Sequence, residues 1–169
     1  MADPKQQKII AAIVARLQTI STGSGYNFTF DTDHVEDSRP NWAQAELPAI
    51  SVFEGRTEST EASQQHHGRR KTIHEMPVLI KVFMERGTDA SDARKAIADV
   101  KKAILGTGSD RDAYLAERWP VVSGTKPGLA TDTRETAHSI EYAENTYEIT
   151  GAQVEITVQY MTKKFDAEA

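Results

Sequence analysis

Hydrophobic and polar residues alternate most regularly over residues 152–161. Val154, Ile156, Val158 and Tyr160 occupy one side of this pattern, and polar residues such as Glu155 occupy the other. A period of two residues places successive side chains on opposite faces of a strand. The pattern predicts a strand with one buried face. A slip of one residue would expose every apolar side chain, so the register is well specified.

A second pattern, over residues 77–105, predicts the strand and helix around which the fold is organised. Residues 78–84 are apolar on both sides except at Lys81, which is typical of a central strand covered on both faces. After a break at Gly87, apolar residues recur every three or four positions and form one stripe of a helix. Thr88 or Asp89 is suited to cap this helix. We expect the helix to fold back onto the strand.

The other segments are expected to complete the same sheet. The pattern predicts a first helix over residues 4–20, an aromatic strand over 26–31, a strand over 47–54 and an exposed strand over 131–142. Residues 55–71 are polar and link two strands, which indicates a long projecting hairpin loop. Residues 109–120 are compatible with a short helix. The sequence therefore predicts an α+β fold with a mostly antiparallel sheet of about five strands and two main helices on one face.

Composition indicates one domain and excludes several classes of site. The chain has 169 residues, which suits a single domain over 1–169 with a charged tail at 163–169. The net charge of −5 argues against a dedicated nucleic-acid binder. The absence of cysteine excludes disulfides and thiolate metal sites. Apolar runs are shorter than a membrane span, and the polar N-terminus does not resemble a signal peptide, so we expect no membrane association.

Histidine and aspartate residues occur in several short clusters that we interpret as loop and turn chemistry. Adjacent histidines in an extended loop point in opposite directions and rarely share a metal ion. Aspartate is favoured at strand ends and in turns. The clusters are His66-His67, with His34 and His74 as possible additional ligands, together with Asp31-Thr-Asp33 and Asp110-Arg-Asp112. The sequence therefore predicts no catalytic, metal or cofactor site.

The glycines and basic residues also favour structural roles. Gly106-Thr-Gly108 follows a helix rather than a strand and lacks the lysine of a phosphate loop. Arg69, Arg70 and Lys71 form a small basic cluster, which we interpret as a solvated hairpin arm because one triplet supplies few phosphate contacts. Trp42 and Trp119 are more typical of cores and interfaces than of base stacking. The candidate interface residues are Arg69, Arg70, Lys71, Glu155 and Gln159.

The order of these segments resembles the tail terminator, or minor tail, proteins of long-tailed bacteriophages. The resemblance lies mainly in the strand Glu46-Leu-Pro-Ala-Ile-Ser-Val52 and in the closing strand Val154-Glu-Ile-Thr-Val-Gln-Tyr160. It extends over roughly residues 5–162 in outline, while the loop at 55–71 and the region 109–151 depart from it. The order in which the resemblance holds is a helix, an aromatic strand, the strand at 46–52, a polar hairpin, an apolar strand, an alanine-rich helix and the closing strand.

This resemblance implies a structural protein of the virion that has no catalytic residues or cofactor. Such a protein caps the tail tube, stops its polymerisation and offers a surface to the neck or head-completion protein. It assembles as a homo-oligomer, a six-fold ring, around a channel through which DNA passes without sequence-specific binding. The expected location is the head-proximal end of the tail, and the host cytoplasm during assembly. A further hypothesis from the net charge is that an acidic channel lets DNA slide.

Two alternatives remain open from the residues alone. One is another neck, connector or tube-like protein of a phage, because these share small α+β or β-rich bodies with long arms. The other is a small enzyme or a metal-binding or ligand-binding α+β domain, for which the histidine and aspartate clusters are the only support.

Overall fold

The chain forms two helices and six strands in the computed structural model, which describes residues 5–61, 71–106, 130–144 and 147–163. The helices and strands follow one another as α1 (Lys5–Leu17), β1 (Val35–Asp37), β2 (Ala49–Glu54), β3 (Glu58–Glu61), β4 (Lys71–Phe83), α2 (Ala90–Leu105), β5 (Asp132–Tyr142) and β6 (Ile149–Lys163). Short 3₁₀ turns lie at Thr22–Ser24, Thr32–His34 and Gln44–Glu46. This α+β architecture confirms the predicted fold class.

The strands form one sheet in the order β1-β2-β4-β6-β5, with β3 pairing to the N-terminal half of β4. All pairs are antiparallel except β1 with β2, which is parallel. The long strands β4 and β6 pair along their whole length from Lys71 opposite Lys163 to Phe83 opposite Gly151. The strand predicted from its apolar residues is therefore central, and it is several residues longer at its N-terminal end than the pattern indicated.

Both helices cover the same face of this sheet. Cross-strand register places Val52, Ile80 and Val154 side by side on that face, and each is essentially inaccessible to solvent. Ile9, Ile13 and Leu17 of α1 and Val100 and Ile104 of α2 belong to the same buried cluster. Burying one such aliphatic side chain contributes roughly 1.5–3 kcal/mol. The alternation along β6 therefore specifies which face receives the helices.

Helix α2 begins and ends as its sequence predicts. The Asp89 carboxylate accepts a hydrogen bond from the backbone N–H of Asp92 at 2.8 Å, so Asp89 rather than Thr88 caps the helix. Gly106 follows the last turn with a φ of 73°, and its N–H donates to the carbonyl of Lys102. Gly106 therefore terminates the helix, in agreement with the interpretation that Gly106-Thr-Gly108 follows a helix and is not a phosphate loop.

The predicted aromatic strand over residues 26–31 is wrong, because this segment is irregular and packs against α2 instead of pairing in the sheet. The Asp99 carboxylate accepts hydrogen bonds from the backbone N–H groups of Asn27 and Phe28 at 2.8 and 2.9 Å, and from the Asn27 side-chain amide at 2.7 Å. These bonds satisfy backbone donors that a strand would have given to a neighbouring strand. Aromatic and polar residues alternate here because Phe30 belongs to the core beneath the helices and Phe28 packs against that core.

Two short strands were not predicted. Strand β1 lies between the segments predicted as strands at 26–31 and 47–54, and β3 lies within the segment interpreted as a loop. Each has three or four residues, which is too short for a period-two pattern to stand out from its surroundings. Both are held by their longer neighbours β2 and β4.

Three sequence interpretations fall outside the described residues. These are the tip of the hairpin at 62–70, the short helix at 109–120 and the tail beyond Lys163. Asp3 and Pro4, whose residue types suit the cap and the first position of the first helix, also lie outside them.

Candidate interaction surface

The face of the sheet opposite the two helices is the most extensive candidate for a functional surface in the described part of the chain. Its centre is a cross-strand row that joins Phe53 on β2, Leu79 on β4, Glu155 on β6 and Ala137 on β5. Residues directly opposite one another on paired strands share a face and contact one another. We refer to this side of β2, β4, β6 and β5, together with β3, as the open face.

Apolar side chains on the open face retain partial exposure. Phe53, Leu79 and Phe83 are half-buried and Pro77 is exposed, whereas Val78, Ile80 and Val82, which alternate with them, are buried under the helices. The sequence predicted that both faces of β4 are covered. Among the described residues, helices cover one face and no element covers the other. A mixed apolar and polar face with exposed proline and half-buried aromatic rings is typical of a contact surface.

Polar residues on the open face form two ion pairs. Arg134 of β5 lies 3.3 Å from the Glu75 carboxylate on β4, and the Gln159 amide between them donates to the same carboxylate at 3.4 Å. Lys81 lies 3.1 Å from Glu141. These pairs link three neighbouring strands across the face. Because their side chains are at least partly exposed to solvent, these pairs contribute little to stability.

The predicted interface residues are only partly brought together. Glu155 and Gln159 both lie on the open face of β6, four residues apart. Lys71 is the first residue of β4 and is opposite Lys163, so it belongs to the far end of the same strand pair. Arg69 and Arg70 lie outside the described residues. The sequence identified the polar side of β6 but missed Phe53, Leu79, Arg134 and Glu75, whose contribution depends on strand register.

One border of the open face is closed by the segment between β1 and β2. The Trp42 indole N–H donates to the buried Ser51 hydroxyl at 2.8 Å, and the Arg39 guanidinium lies 3.8 Å from the centre of the Trp42 ring. The Nη2 group of Arg39 also donates to both carboxylate oxygens of Glu46, at 2.7 and 2.8 Å. Trp42 therefore has a packing role, in agreement with the interpretation favoured from sequence.

The same segment is held by mutually reinforcing charges. A backbone hydrogen bond from Ala43 and the neighbouring Arg39 hold the pKa of Glu46 below its ordinary value. The hydrogen bond to Glu46 raises the pKa of Arg39 in turn. Both groups therefore stay charged across the neutral range, and this border is expected to keep its shape there.

The opposite border of the sheet is the outer edge of β5. Among the described strands, β6 is the partner of β5, and its other edge has no described strand beside it. Eleven residues form this strand, and the register shifts between Glu135 and Ala137. An edge strand of this length presents backbone N–H and C=O groups that can pair with another chain, while a bulge limits uncontrolled pairing.

Candidate chemical residues are dispersed rather than convergent. The His74 ring stacks on Tyr160 at 4.8 Å and contacts the Thr162 hydroxyl, while His34 lies beside Trp42. Burial and the nearby Lys5 ammonium lower the pKa of His74, which favours the neutral ring. Asp31 and Asp33 lie at the 3₁₀ turn before β1. In the described ranges, no three His, Asp or Glu residues are arranged to hold a metal ion. His66, His67, Asp110 and Asp112 lie outside those ranges.

Comparison with known proteins leaves the family of this chain undetermined. No protein-family model matches the sequence. A search of curated proteins likewise yields no match. Within the described residues, neither helix has the length and apolar character required to cross a membrane.

Proposed function

We propose that this chain is a subunit of a ring that caps the tail tube of a long-tailed bacteriophage. In this role the chain stops tube polymerisation and offers a surface to a neck or head-completion protein, and DNA passes through the ring. The resemblance in the order of segments along the chain and in the two motifs implies the six-fold homo-oligomer, the tube and neck partners and the virion location. The proposal assigns no catalytic, metal or cofactor role to any residue.

The observation that supports this proposal most is the asymmetry of the fold. Helices cover one side of the sheet, whereas the other side is a half-buried apolar and polar face bordered by the edge of β5 that has no described strand beside it. A ring requires head-to-tail contacts between two different patches on each subunit. The open face and the β5 edge offer surfaces suited to such contacts, because sheet faces bury area and edges add backbone hydrogen bonds.

Phage particles made without this protein test the proposal directly. If the chain terminates tail polymerisation, electron microscopy of lysates from a phage lacking its gene will show overlong tails, and supplying the wild-type chain will restore uniform length. Tails of normal length that remain unattached to heads would instead assign the protein to the neck. Normal, fully joined particles would refute both roles.

Shortening the hairpin between β3 and β4 is expected to weaken assembly without unfolding the chain. Glu61 lies opposite Thr72, so an Asn-Gly turn replacing residues 62–71 closes the hairpin at an existing cross-strand pair. The variant loses Arg69, Arg70 and Lys71, three of the candidate interface residues. We expect an unchanged thermal transition by circular dichroism and at least a tenfold loss in tube capping in vitro.

A matched variant separates the effect of charge from that of loop length. The triple substitution R69S/R70S/K71S keeps the length of the loop and removes its basic cluster. Equal losses in both variants would assign the contact to the basic residues. Wild-type capping by the shortened chain would remove this hairpin from the proposed interface.

A further inference from the structure

The outward side of the helix layer is basic where α2 faces solvent. Arg94, Lys95 and Ala98 are exposed, and Lys101 and Lys102 are partly exposed, so they follow the helix at spacings of three and four residues. Residues at these spacings lie on one side of a helix. We refer to this set as the α2 stripe. Within the stripe, Lys95 is paired with Asp92 and Lys101 with Glu135, each at 2.7 Å, and Asp99 is buried. Arg94 and Lys102 therefore supply the charge of the stripe that no described carboxylate cancels.

The open face of the sheet has the opposite charge. In the central part of that face, Lys81 and Arg134 are already paired with Glu141 and Glu75. Two further cationic residues, Lys71 and Lys163, lie opposite one another at the far end of the same strand pair. Three further acidic residues of that face, Glu58, Asp132 and Glu155, have no ion pair with a described residue. Glu155 lies in the central row between Leu79 and Ala137. A half-buried carboxylate beside apolar groups favours a partner surface in which a cationic side chain lies next to a small apolar side chain.

We infer that the open face of one subunit receives the α2 stripe of a second copy of this chain. This inference rests on the proposed function and identifies the two patches through which neighbouring subunits of the ring join. The α2 stripe supplies cations on either side of the small side chain of Ala98, which allows close approach to Phe53 and Leu79. Opposite charges on the two sides of one molecule favour head-to-tail association and oppose face-to-face pairing.

The dimensions of the two surfaces agree. Helix α2 has 16 residues and is about 24 Å long at 1.5 Å per residue. Strands β2, β4, β6 and β5 lie side by side and span roughly 14 Å between the outer strand axes at about 4.8 Å per strand. One helix can therefore cross the whole open face and place charges over both Glu155 and Asp132.

Two charge-reversal variants test the pairing. The face variant carries E155K and D132K, and the helix variant carries R94E and A98E. These positions make no ion pair within the described chain, so the variants are expected to fold. Each variant alone opposes like charges at every junction. We expect each to lose at least tenfold in self-association, measured by sedimentation velocity over a concentration series, and in capping of purified tail tubes.

Mixing the two variants is expected to restore assembly. In a ring of alternating variants, the lysines of a face variant meet the glutamates of a helix variant, and the next junction has two wild-type surfaces. The mixture should therefore recover most of the wild-type capping, and native mass spectrometry should show equal numbers of the two variants in each ring. Recovery also demonstrates that both variants are folded.

The outcomes distinguish this inference from the function on which it rests. A wild-type chain that neither self-associates nor caps tubes would overturn the proposed function and the inference together. If the wild-type chain caps tubes and both variants cap them equally well, the inference alone is overturned. The same holds if the mixture of variants fails to restore capping. The control R86E/E85K reverses exposed charges in the connection between β4 and α2 and should cap normally. The α2 stripe would be assigned to DNA instead if the wild-type chain bound duplex DNA and the R94E/A98E variant lost that binding but kept its self-association.

Discussion

Replacement of Asp99 by alanine is expected to lower the free energy of unfolding by about 3 kcal/mol or more. The Asp99 carboxylate is 2% exposed and accepts three hydrogen bonds from Asn27 and Phe28. Alanine removes the acceptor and leaves the backbone N–H groups of Asn27 and Phe28 without their protein partner at a partly buried site. Urea unfolding followed by circular dichroism measures the change.

Two companion substitutions identify the source of this effect. Asn27→Ala removes a single hydrogen bond to a charged group and should cost about 1.5–3 kcal/mol. Asp92→Ala removes an exposed carboxylate from the same helix and should change stability by less than about 1 kcal/mol. A D99A protein as stable as wild type would show that residues 26–30 are not held to α2 by this carboxylate.

Replacement of Gly151 by alanine is expected to destabilise the fold by about 3 kcal/mol or more, since the backbone of β4 leaves no room for a Cβ at this residue. A Cβ at Gly151 would collide with the carbonyl oxygen of Val82 and would lie 3.2 Å from its carbonyl carbon. These are backbone atoms of the central strand. They cannot move without disturbing the adjacent hydrogen bond from Met84 N–H to the Thr150 carbonyl. Thermal unfolding should show a markedly lower midpoint.

The matched control for this prediction is Gly23→Ala. The nearest atom to a Cβ at Gly23 is the Ser21 hydroxyl at 3.5 Å, which is ordinary contact, and the expected change in stability is within about 1 kcal/mol. If G151A and G23A melted at the same temperature, β6 would have to adopt a wider spacing from β4 than the structure shows.

The strongest periodic patterns predicted their elements correctly. Val154, Ile156 and Val158 form the buried side of β6 as the alternation indicated. Ala93, Ile97, Val100 and Ile104 form the buried stripe of α2, while Leu105 is only partly buried. Local signals also succeeded where a residue acts on its own neighbours, as Asp89 does at the start of α2.

Patterns failed where a residue's partner is distant in the chain. Phe28 and Phe30 alternate with polar residues as a strand would, but the backbone N–H groups of Asn27 and Phe28 donate to Asp99 of α2, about 70 residues further along the chain. In the sequence, Asp99 is one more charged residue in an amphipathic helix. Its burial is evident only once α2 lies against residues 26–30.

By itself, the sequence determined the fold class, the central strand, both helices and the polar side of β6, because side-chain periodicity is a local property set by backbone geometry. Tertiary structure alone decided which polar residues share a surface. The row Phe53, Leu79, Glu155 and Ala137 joins four strands from separate parts of the chain, and its existence depends on hydrogen-bonded register rather than on any local pattern. The short strands β1 and β3 likewise depend on the longer strands beside them.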